Sequence, residues 1–187
     1  KAVDVLNLKD GKKLYSLEPR GDNGLFEKDL PEVKKPFHYK FNVSYQDSEV
    51  EVIDPYQFRD EAFFGLSTMN EKPANIYKTM GAQLIEVEED GVKVKGVKFV
   101  VYAPSATCVS VIGDFNFWDG RRHPMARSLL GNWVLFVPGL KAGERYKFEI
   151  KDLNGNRLPH KADPVGFFHE QYPSFASIVT DQTTYKW

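Results

Sequence analysis

Apolar and polar residues alternate along several short segments of the chain. In segment 146–151, Tyr, Phe and Ile alternate with Lys, Glu and Lys, and segment 39–45 alternates in the same way. A period of two places the apolar side chains on one face of a β-strand and the polar ones on the other. Lys147 is therefore expected on the outward face of its strand. In segment 133–137 the same period assigns Trp133 to the core.

Continuous apolar segments predict further strands. Segments 97–102 and 108–112 are expected to be adjacent strands joined through Ala103-Pro104-Ser105. Asp90-Gly91 predicts a hairpin turn between the apolar segments on either side of it. Many short strands separated by Gly, Pro and Asn are typical of a β-sandwich.

The chain contains an internal repeat. Three pairs of landmarks recur with offsets of 107, 107 and 109 residues: Gly24 and Gly131, Tyr39 and Tyr146, and Asp54 and Asp163. A period of this length favours duplication of a domain over a solenoid of short repeats. The alternative is that unrelated sandwiches reuse similar strand patterns.

These patterns predict an all-β protein with two tandem β-sandwiches. The first is expected over residues 1–58, truncated at its start, and the second over residues 81–183. Residues 59–80 are expected to form a connector with short helices. Residues 184–187 are expected to begin a link to a further domain.

Composition narrows the possible partners. Of the 187 residues, 42% are hydrophobic, which is typical of a folded protein. Its 25 basic side chains nearly balance 26 acidic ones, and this balance disfavours nucleic acid or an anionic membrane as a partner. The single cysteine, Cys108, excludes an internal disulfide and favours a cytoplasmic location. The four histidines lack the spacing of metal ligands, and no nucleotide-binding motif occurs. We therefore expect no metal and no cofactor.

One loop has an unusual amino-acid composition. Residues 113–125 read Gly-Asp-Phe-Asn-Phe-Trp-Asp-Gly-Arg-Arg-His-Pro-Met, with three aromatic residues in a Gly- and Asp-rich segment. Such aromatics either seal the end of a sandwich or present flat apolar faces to a sugar ring, whose hydroxyls neighbouring Asn and Asp can bind. Trp118 is the leading candidate for a sugar platform.

This loop also carries a family resemblance. Residues 109–119 resemble the early strand and loop of the family 48 carbohydrate-binding module that precedes the catalytic barrel in 1,4-α-glucan (glycogen) branching enzymes. Further similar pieces follow in the same order: Gly131-Asn132-Trp133, Phe136-Val137-Pro138-Gly139, Tyr146 to Ile150, Asn154-Gly155-Asn156 and Lys161-Ala162-Asp163-Pro164. The continuation from Trp118 to Met125 resembles branching enzymes more than debranching or trehalose-releasing relatives.

The resemblance implies that the two tandem sandwiches are immunoglobulin-like and that the second carries a glucan site. Its candidate residues are Trp118, Asn116, Lys147 and Asn156. Lys147 aligns with a lysine that contacts glucan in the related module of the AMP-activated kinase β subunit. That module has a second tryptophan where this chain has Asn154-Gly155-Asn156-Arg157, so one of two stacking platforms is missing here. The implied partner is an α-1,4-glucan, glycogen or a maltooligosaccharide.

The resemblance also implies that catalysis occurs outside this chain. Branching needs a pair of carboxylates on a (β/α)₈ barrel of about 250 residues, for which 187 residues leave no room. Arg121 and Arg122 are candidates to face that barrel, which is then a second partner. Two alternatives remain: a structural module that packs on the barrel without binding sugar, and a stand-alone glycogen-targeting module.

Overall fold

The computed structural model describes residues 1–58, 73–89 and 91–182. Its strands are β1 (Ala2–Asn7), β2 (Lys13–Arg20), β3 (Leu25–Glu27), β4 (Tyr39–Ser44), β5 (Glu49–Val52), β6 (Gly81–Glu89), β7 (Val92–Tyr102), β8 (Cys108–Gly113), β9 (Ala126–Arg127), β10 (Asn132–Pro138), β11 (Arg145–Lys151), β12 (Phe168–His169) and β13 (Ser177–Ile178). Short 3₁₀ helices span Pro55–Phe58, Pro73–Lys78 and Asp114–Asn116. No α-helix occurs in the described residues, and the predicted all-β class is confirmed.

The chain divides into two compact units. The first comprises Lys1–Gln57 and Glu88–Lys93, and the second comprises Phe58–Val87 and Val94–Trp187. Of the predicted connector, residues 59–72 lie outside the described part of the chain, as do residues 183–187. The helical part of the connector that is described is the 3₁₀ helix Pro73–Lys78, and Gly81, with φ of 79°, begins strand β6.

The first unit contains a five-stranded antiparallel sheet in the order β3-β2-β1-β4-β5. Strand β2 pairs with β1 through its first half and with β3 through its last three residues. The sequence predicted a two-sheet sandwich here, whereas the described residues form this one sheet. On strand β5 of this sheet, Val50 and Val52 are each 45% exposed. Alternation along a strand predicts a face that can be buried, but it does not say what covers that face.

The second unit is a β-sandwich. One antiparallel sheet has the order β6-β7-β10-β9 and the other the order β12-β13-β11-β8. Apolar side chains from both sheets interdigitate in one core, which includes Val97, Phe99, Val101, Val109, Val111, Trp133, Leu135, Val137, Tyr146 and Phe148. Trp133 is 6% exposed, as predicted for a core residue, and its indole nitrogen donates to the Ala103 carbonyl at 3.0 Å.

Two predictions about neighbouring strands had different outcomes. Strands β7 and β8 are not neighbours in one sheet, because the turn after Tyr102 carries the chain from one sheet to the other. The amide of Ala106 donates to the carbonyl of Ala103 at 3.1 Å and closes this turn. Strands β6 and β7 are neighbours, as the hairpin signal predicted, and Gly91 has φ of 74° between them. Asp90 lies outside the described residues.

The internal repeat has a structural counterpart. In the first unit the hydroxyl of Tyr39 donates to Asp54 at 2.6 Å, and in the second the hydroxyl of Tyr146 donates to Asp163 at 2.6 Å. In both units the other carboxylate oxygen accepts a backbone amide two residues downstream. This shared arrangement supports duplication as the origin of the repeat.

Candidate functional site

The aromatic loop leaves strand β8 at Gly113 and returns along the same strand. The carbonyl of His123 accepts the amide of Val111 at 3.1 Å, and the amide of Met125 donates to Val109 at 2.8 Å. A Cβ atom on Gly113 would lie 2.2 Å from the carbonyl oxygen of Arg145. Only glycine therefore allows β8 to approach β11 this closely where the loop begins.

Asn116 holds this loop together from inside. Its side chain is 0% exposed, and its Oδ1 accepts the amide of Gly113 at 2.9 Å. Its Nδ2 donates to the carbonyl of Val111 and lies 2.9 Å from Nδ1 of His123. A fully buried amide whose two polar atoms are both engaged cannot reach a ligand. The structure therefore corrects the prediction for Asn116, and we leave it out of the candidate site.

The next two residues adopt the left-handed backbone conformation. Phe117 and Trp118 have φ of 58° and 60°. For residues other than glycine this conformation costs about 1–2 kcal/mol each, and strain of this kind is concentrated at functional sites. The strained backbone turns Phe117 outward, where it is 78% exposed, while Trp118 is half-buried.

A charged network fixes the indole of Trp118. Its nitrogen donates to Oδ1 of Asp114 at 3.0 Å. Arg145, from strand β11, donates to both oxygens of Asp114, at 2.7 and 3.1 Å, and to Glu170 at 2.9 Å. These bonds from Arg145 lower the pKa of Asp114 and that of Glu170 below their usual values. Asp114 therefore stays an acceptor for the indole well into the acidic range.

Lys147 lies beside Trp118, so the structure brings these two predicted residues together. Its Nζ is 5.9 Å from the centroid of the Trp118 ring, which is within the range of a cation–π contact. The same Nζ donates to the backbone carbonyl of Ser174 at 2.7 Å. Lys147 thus has a fixed position between the aromatic loop and the segment around Ser174.

Sequence reasoning missed Glu149, the next outward residue on strand β11. Its carboxylate is 13% exposed and pairs with Arg157 at 2.6 Å and with His160 at 3.6 Å. A Cβ atom on Gly120 would lie 2.5 Å from a Glu149 carboxylate oxygen, so the aromatic loop lies directly over this side chain. The alternation that placed Lys147 outward also places Glu149 outward, so a signal was available.

Asn156 belongs to a different part of the second unit. Its amide and its side chain both donate to Asp152, at 2.8 and 3.2 Å, within a tight turn. Residues 152–154 of this turn line an open cavity of about 430 Å³, together with Ala103, Pro104, Ser105, Ala106, Ile150, Lys151 and Leu158. Trp118 and Lys147 do not line it. The hydrogen bonds of Asn156 to Asp152 serve the turn, and its role in glucan binding stays a prediction.

Arg121 and Arg122 both lie close to Asp119 in the same loop. Arg121 pairs with Asp119 at 2.8 Å, and the nearest Arg122 nitrogen is 3.9 Å from the same carboxylate. Hydrogen bonds from Arg121 lower the pKa of Asp119 to about 2. The guanidinium of Arg122 also lies over the ring of Phe117, 5.1 Å from its centroid. That these arginines face a barrel stays a prediction.

Two kinds of feature are absent from the described residues: a metal site and a membrane-spanning helix. In residues 1–58, 73–89 and 91–182, no three His, Cys, Asp or Glu side chains are grouped so that they could hold a metal ion. Within the same residues, no helix has the length and apolar character needed to cross a membrane.

Comparison with known families identifies the class of the second unit. Residues 79–166 match the model of carbohydrate-binding module 48 (isoamylase N-terminal domain). Trp118, Lys147 and Glu149 all lie within the matched residues. The immunoglobulin-like sandwich expected from the resemblance is thereby confirmed.

Over its whole length the chain is similar to 1,4-alpha-glucan branching enzymes. It is 46% identical over 187 residues to GlgB of Pseudoalteromonas atlantica, a match that covers 99% of this chain and 26% of that enzyme. It is 45% identical over 189 residues to GlgB of Vibrio cholerae, covering 100% of this chain and 25% of that enzyme. The predicted resemblance is confirmed, and the chain spans about a quarter of the length of the curated relatives it matches.

Pullulanases are among the solved structures to which the chain has a weak similarity. A pullulanase from Anoxybacillus sp. LM18-11 complexed with maltotetraose is 16% identical with a TM-score of 0.42, and the match covers 96% of this chain and 24% of that enzyme. A pullulanase from Klebsiella pneumoniae complexed with maltotriose is 16% identical with a TM-score of 0.41, covering 96% of this chain and 19% of that enzyme. At this level of similarity neither structure bears on the site.

Proposed function

We propose that this chain is the non-catalytic region of a glycogen branching enzyme that binds an α-glucan and positions it. The observation that carries the proposal is the pairing of Trp118 with Lys147 on the outward face of the second unit, at 5.9 Å. An aromatic ring next to a fixed hydrogen-bond donor is the combination that recognises a sugar ring. The match of residues 79–166 to a carbohydrate-binding module supports the same ligand class.

Each side chain has a distinct role in the proposed site. The face of the Trp118 indole that Lys147 leaves free stacks on the apolar face of a glucose unit. Lys147 has three N–H donors and uses one of them on Ser174, so two remain for sugar hydroxyls. Glu149 supplies an acceptor nearby, although its pairing with Arg157 satisfies part of its capacity. A shallow site with one main platform binds weakly, at about millimolar affinity or roughly −4 kcal/mol.

Weak binding is sufficient for the proposed role. A glucan polymer offers many equivalent sites, and linkage to a catalytic barrel raises the effective concentration of the bound chain. In the longer protein this region would hold a glucan and set the length of the segment that the barrel transfers from an α-1,4 to an α-1,6 linkage. The proposal includes a cytoplasmic enzyme, which the single cysteine supports. It includes no nucleic acid, membrane or cofactor.

A second candidate function is a structural module that packs on the barrel without binding sugar. The observation that favours it is Phe117, which is 78% exposed beneath the guanidinium of Arg122. An exposed aromatic ring covered by a cation is suited to a protein interface, where aromatic and Arg side chains are enriched. The two functions use neighbouring but different side chains of the same loop.

Calorimetric titration with maltoheptaose separates the two functions. We expect saturable binding by the wild-type chain and at least tenfold weaker binding by Trp118→Ala. Leu153→Ala is the matched control, because Leu153 is 74% exposed and lies in the 152–156 turn, outside the Trp118 site. Lack of saturable binding by the wild-type chain would contradict the proposal and favour the structural module. A loss confined to Leu153→Ala would place the glucan at the cavity instead.

A further inference from the structure

A second exposed aromatic surface lies on the segment 170–175. Tyr172 is 83% exposed and Phe175 is 54% exposed. The two rings are in edge-to-face contact, with centroids 5.5 Å apart. Together they form a small exposed aromatic surface, which is available to a ligand or a partner.

Lys147 connects this surface to the Trp118 site. Its Nζ donates to the carbonyl of Ser174 at 2.7 Å and lies 5.9 Å from the centroid of the Trp118 ring. Ser174 lies between Tyr172 and Phe175 in the chain. Two residues span at most about 7 Å of backbone, so the Cα atom of Tyr172 lies within that distance of the Cα atom of Ser174.

Arg145 makes a second connection between the same two segments. One side of its guanidinium holds Asp114, the acceptor of the Trp118 indole, and the other holds Glu170 at 2.9 Å. The second carboxylate oxygen of Glu170 accepts the amide of Ala176 at 3.2 Å. Two cations at successive outward positions of strand β11 therefore hold the segment 170–176 next to the aromatic loop.

The opposite side of the site offers no such ring. Residues 152–157, whose Arg157 pairs with Glu149 at 2.6 Å, read Asp-Leu-Asn-Gly-Asn-Arg and contain no aromatic residue. A glucan that stacks on Trp118 and continues past Lys147 toward Ser174 approaches the rings of Tyr172 and Phe175. The polar stretch between the two rings, with Lys147 at its centre, suits the hydroxyls of the intervening sugar.

We propose that Tyr172 is a second stacking platform for the same α-1,4-glucan, so that the site spans more glucose units than Trp118 alone can hold. This inference rests on the proposed function. The Tyr172 platform adds binding energy only for chains long enough to pass Lys147 and reach the second ring. Short oligosaccharides occupy the Trp118 platform alone.

Titration of the same chain with maltotriose and with maltoheptaose tests this inference. We expect Tyr172→Ala to weaken maltoheptaose binding about three- to tenfold, the magnitude of one aromatic contact. Maltotriose binding should be unchanged, and Tyr172→Phe, which keeps the ring, should bind both ligands as the wild type does. Tyr45→Ala is the matched control, since Tyr45 is a 45% exposed tyrosine of the first unit.

The outcomes separate this inference from the proposed function. In one outcome the wild-type chain binds maltoheptaose, Trp118→Ala removes this binding, and Tyr172→Ala leaves it unchanged. The second platform is then wrong, and the proposed function stands. Equal weakening of both ligands by Tyr172→Ala would also overturn it, because that result indicates a displaced Lys147 rather than a lost platform. If the wild-type chain binds neither ligand, the proposed function fails and this inference fails with it.

Discussion

Arg145 holds Asp114 through two hydrogen bonds, of 2.7 and 3.1 Å, and Asp114 accepts the indole N–H of Trp118 at 3.0 Å. A residue that is not part of the proposed sugar contact thus sets the orientation of the ring that makes it. Arg145 is a positioning residue in this account. The planar guanidinium is suited to this role because it can bind two carboxylates in fixed directions.

Arg145→Lys is expected to weaken glucan binding while keeping the charge. An ammonium group cannot hold both oxygens of Asp114 and Glu170 at once, so the indole loses its fixed orientation. We expect about three- to tenfold weaker maltoheptaose binding in titration calorimetry. Asp114→Asn tests the same network from the other side, since an amide holds Arg145 less tightly, and should give a change in the same direction. Unchanged binding by both variants would show that the network does not position Trp118.

Tyr146→Phe and Tyr39→Phe are expected to differ in their cost to stability. Tyr146 is 1% exposed, so loss of its hydroxyl leaves one carboxylate oxygen of the buried Asp163 without its donor, at about 1–3 kcal/mol, while the other oxygen keeps the amide of Val165. The hydrogen bond of Tyr39 to Asp54 is only part-buried, and water can replace the lost donor, at about 0.5–1 kcal/mol. Urea unfolding of both variants gives the comparison. An equal or larger loss in Tyr39→Phe would contradict the difference in burial.

His123 is expected to make the protein less stable as pH falls from 7 to 5. Burial, assisted by the charge of Arg122, lowers the pKa of His123 below its usual value of 6.5, so the folded state favours the neutral ring. The unfolded chain then binds more protons than the folded one, and stability is lost as pH falls below 6.5 toward the folded pKa. Protonation of His123 Nδ1 would also remove the acceptor that faces the side-chain Nδ2 of Asn116.

His123→Gln should reduce this dependence on pH. The measurement is the free energy of unfolding of both proteins at several pH values between 7 and 5. Burial raises the pKa of Asp163, which works in the opposite direction but acts in both proteins, so their difference isolates His123. The pKa values of Asp114 and Glu170 are lowered in the folded state, so the stability that these carboxylates contribute is lost mainly below pH 5. Parallel pH profiles for the two proteins would contradict the prediction.

The sequence predicted the second unit well because its strands have one face buried against a second sheet. In β11 the residues expected inside, Tyr146 and Phe148, are 1% and 0% exposed. The pairing of strands was less predictable. Strands β7 and β8 follow each other in the chain but lie in opposite sheets, since periodicity along a strand carries no information about which strand becomes its neighbour.

The candidate site was predicted in part. Trp118 and Lys147 were selected separately and lie together, 5.9 Å apart. Asn116 was selected because side-chain amides bind hydroxyls. An amide beside a tight turn can also bond the backbone, and in this loop the Asn116 side chain bonds the backbone of Gly113 and Val111. The contribution of Arg145 and the position of Tyr172 depend on contacts between distant segments. No local pattern records such contacts.

The most direct test of the account is to locate the glucan on the protein. The chain has three tryptophans, Trp118, Trp133 and Trp187. Indole ¹H–¹⁵N resonances are followed during titration with maltoheptaose, and Trp118→Phe and Trp187→Phe assign the three signals. Trp133 is an internal control, because its indole is buried and donates to the Ala103 carbonyl. The account predicts a saturable shift of the Trp118 indole and of the Lys147 amide, while the Trp133 indole stays in place. Saturation of the protein with no shift at Trp118, or shifts centred on the 152–156 turn, would contradict it.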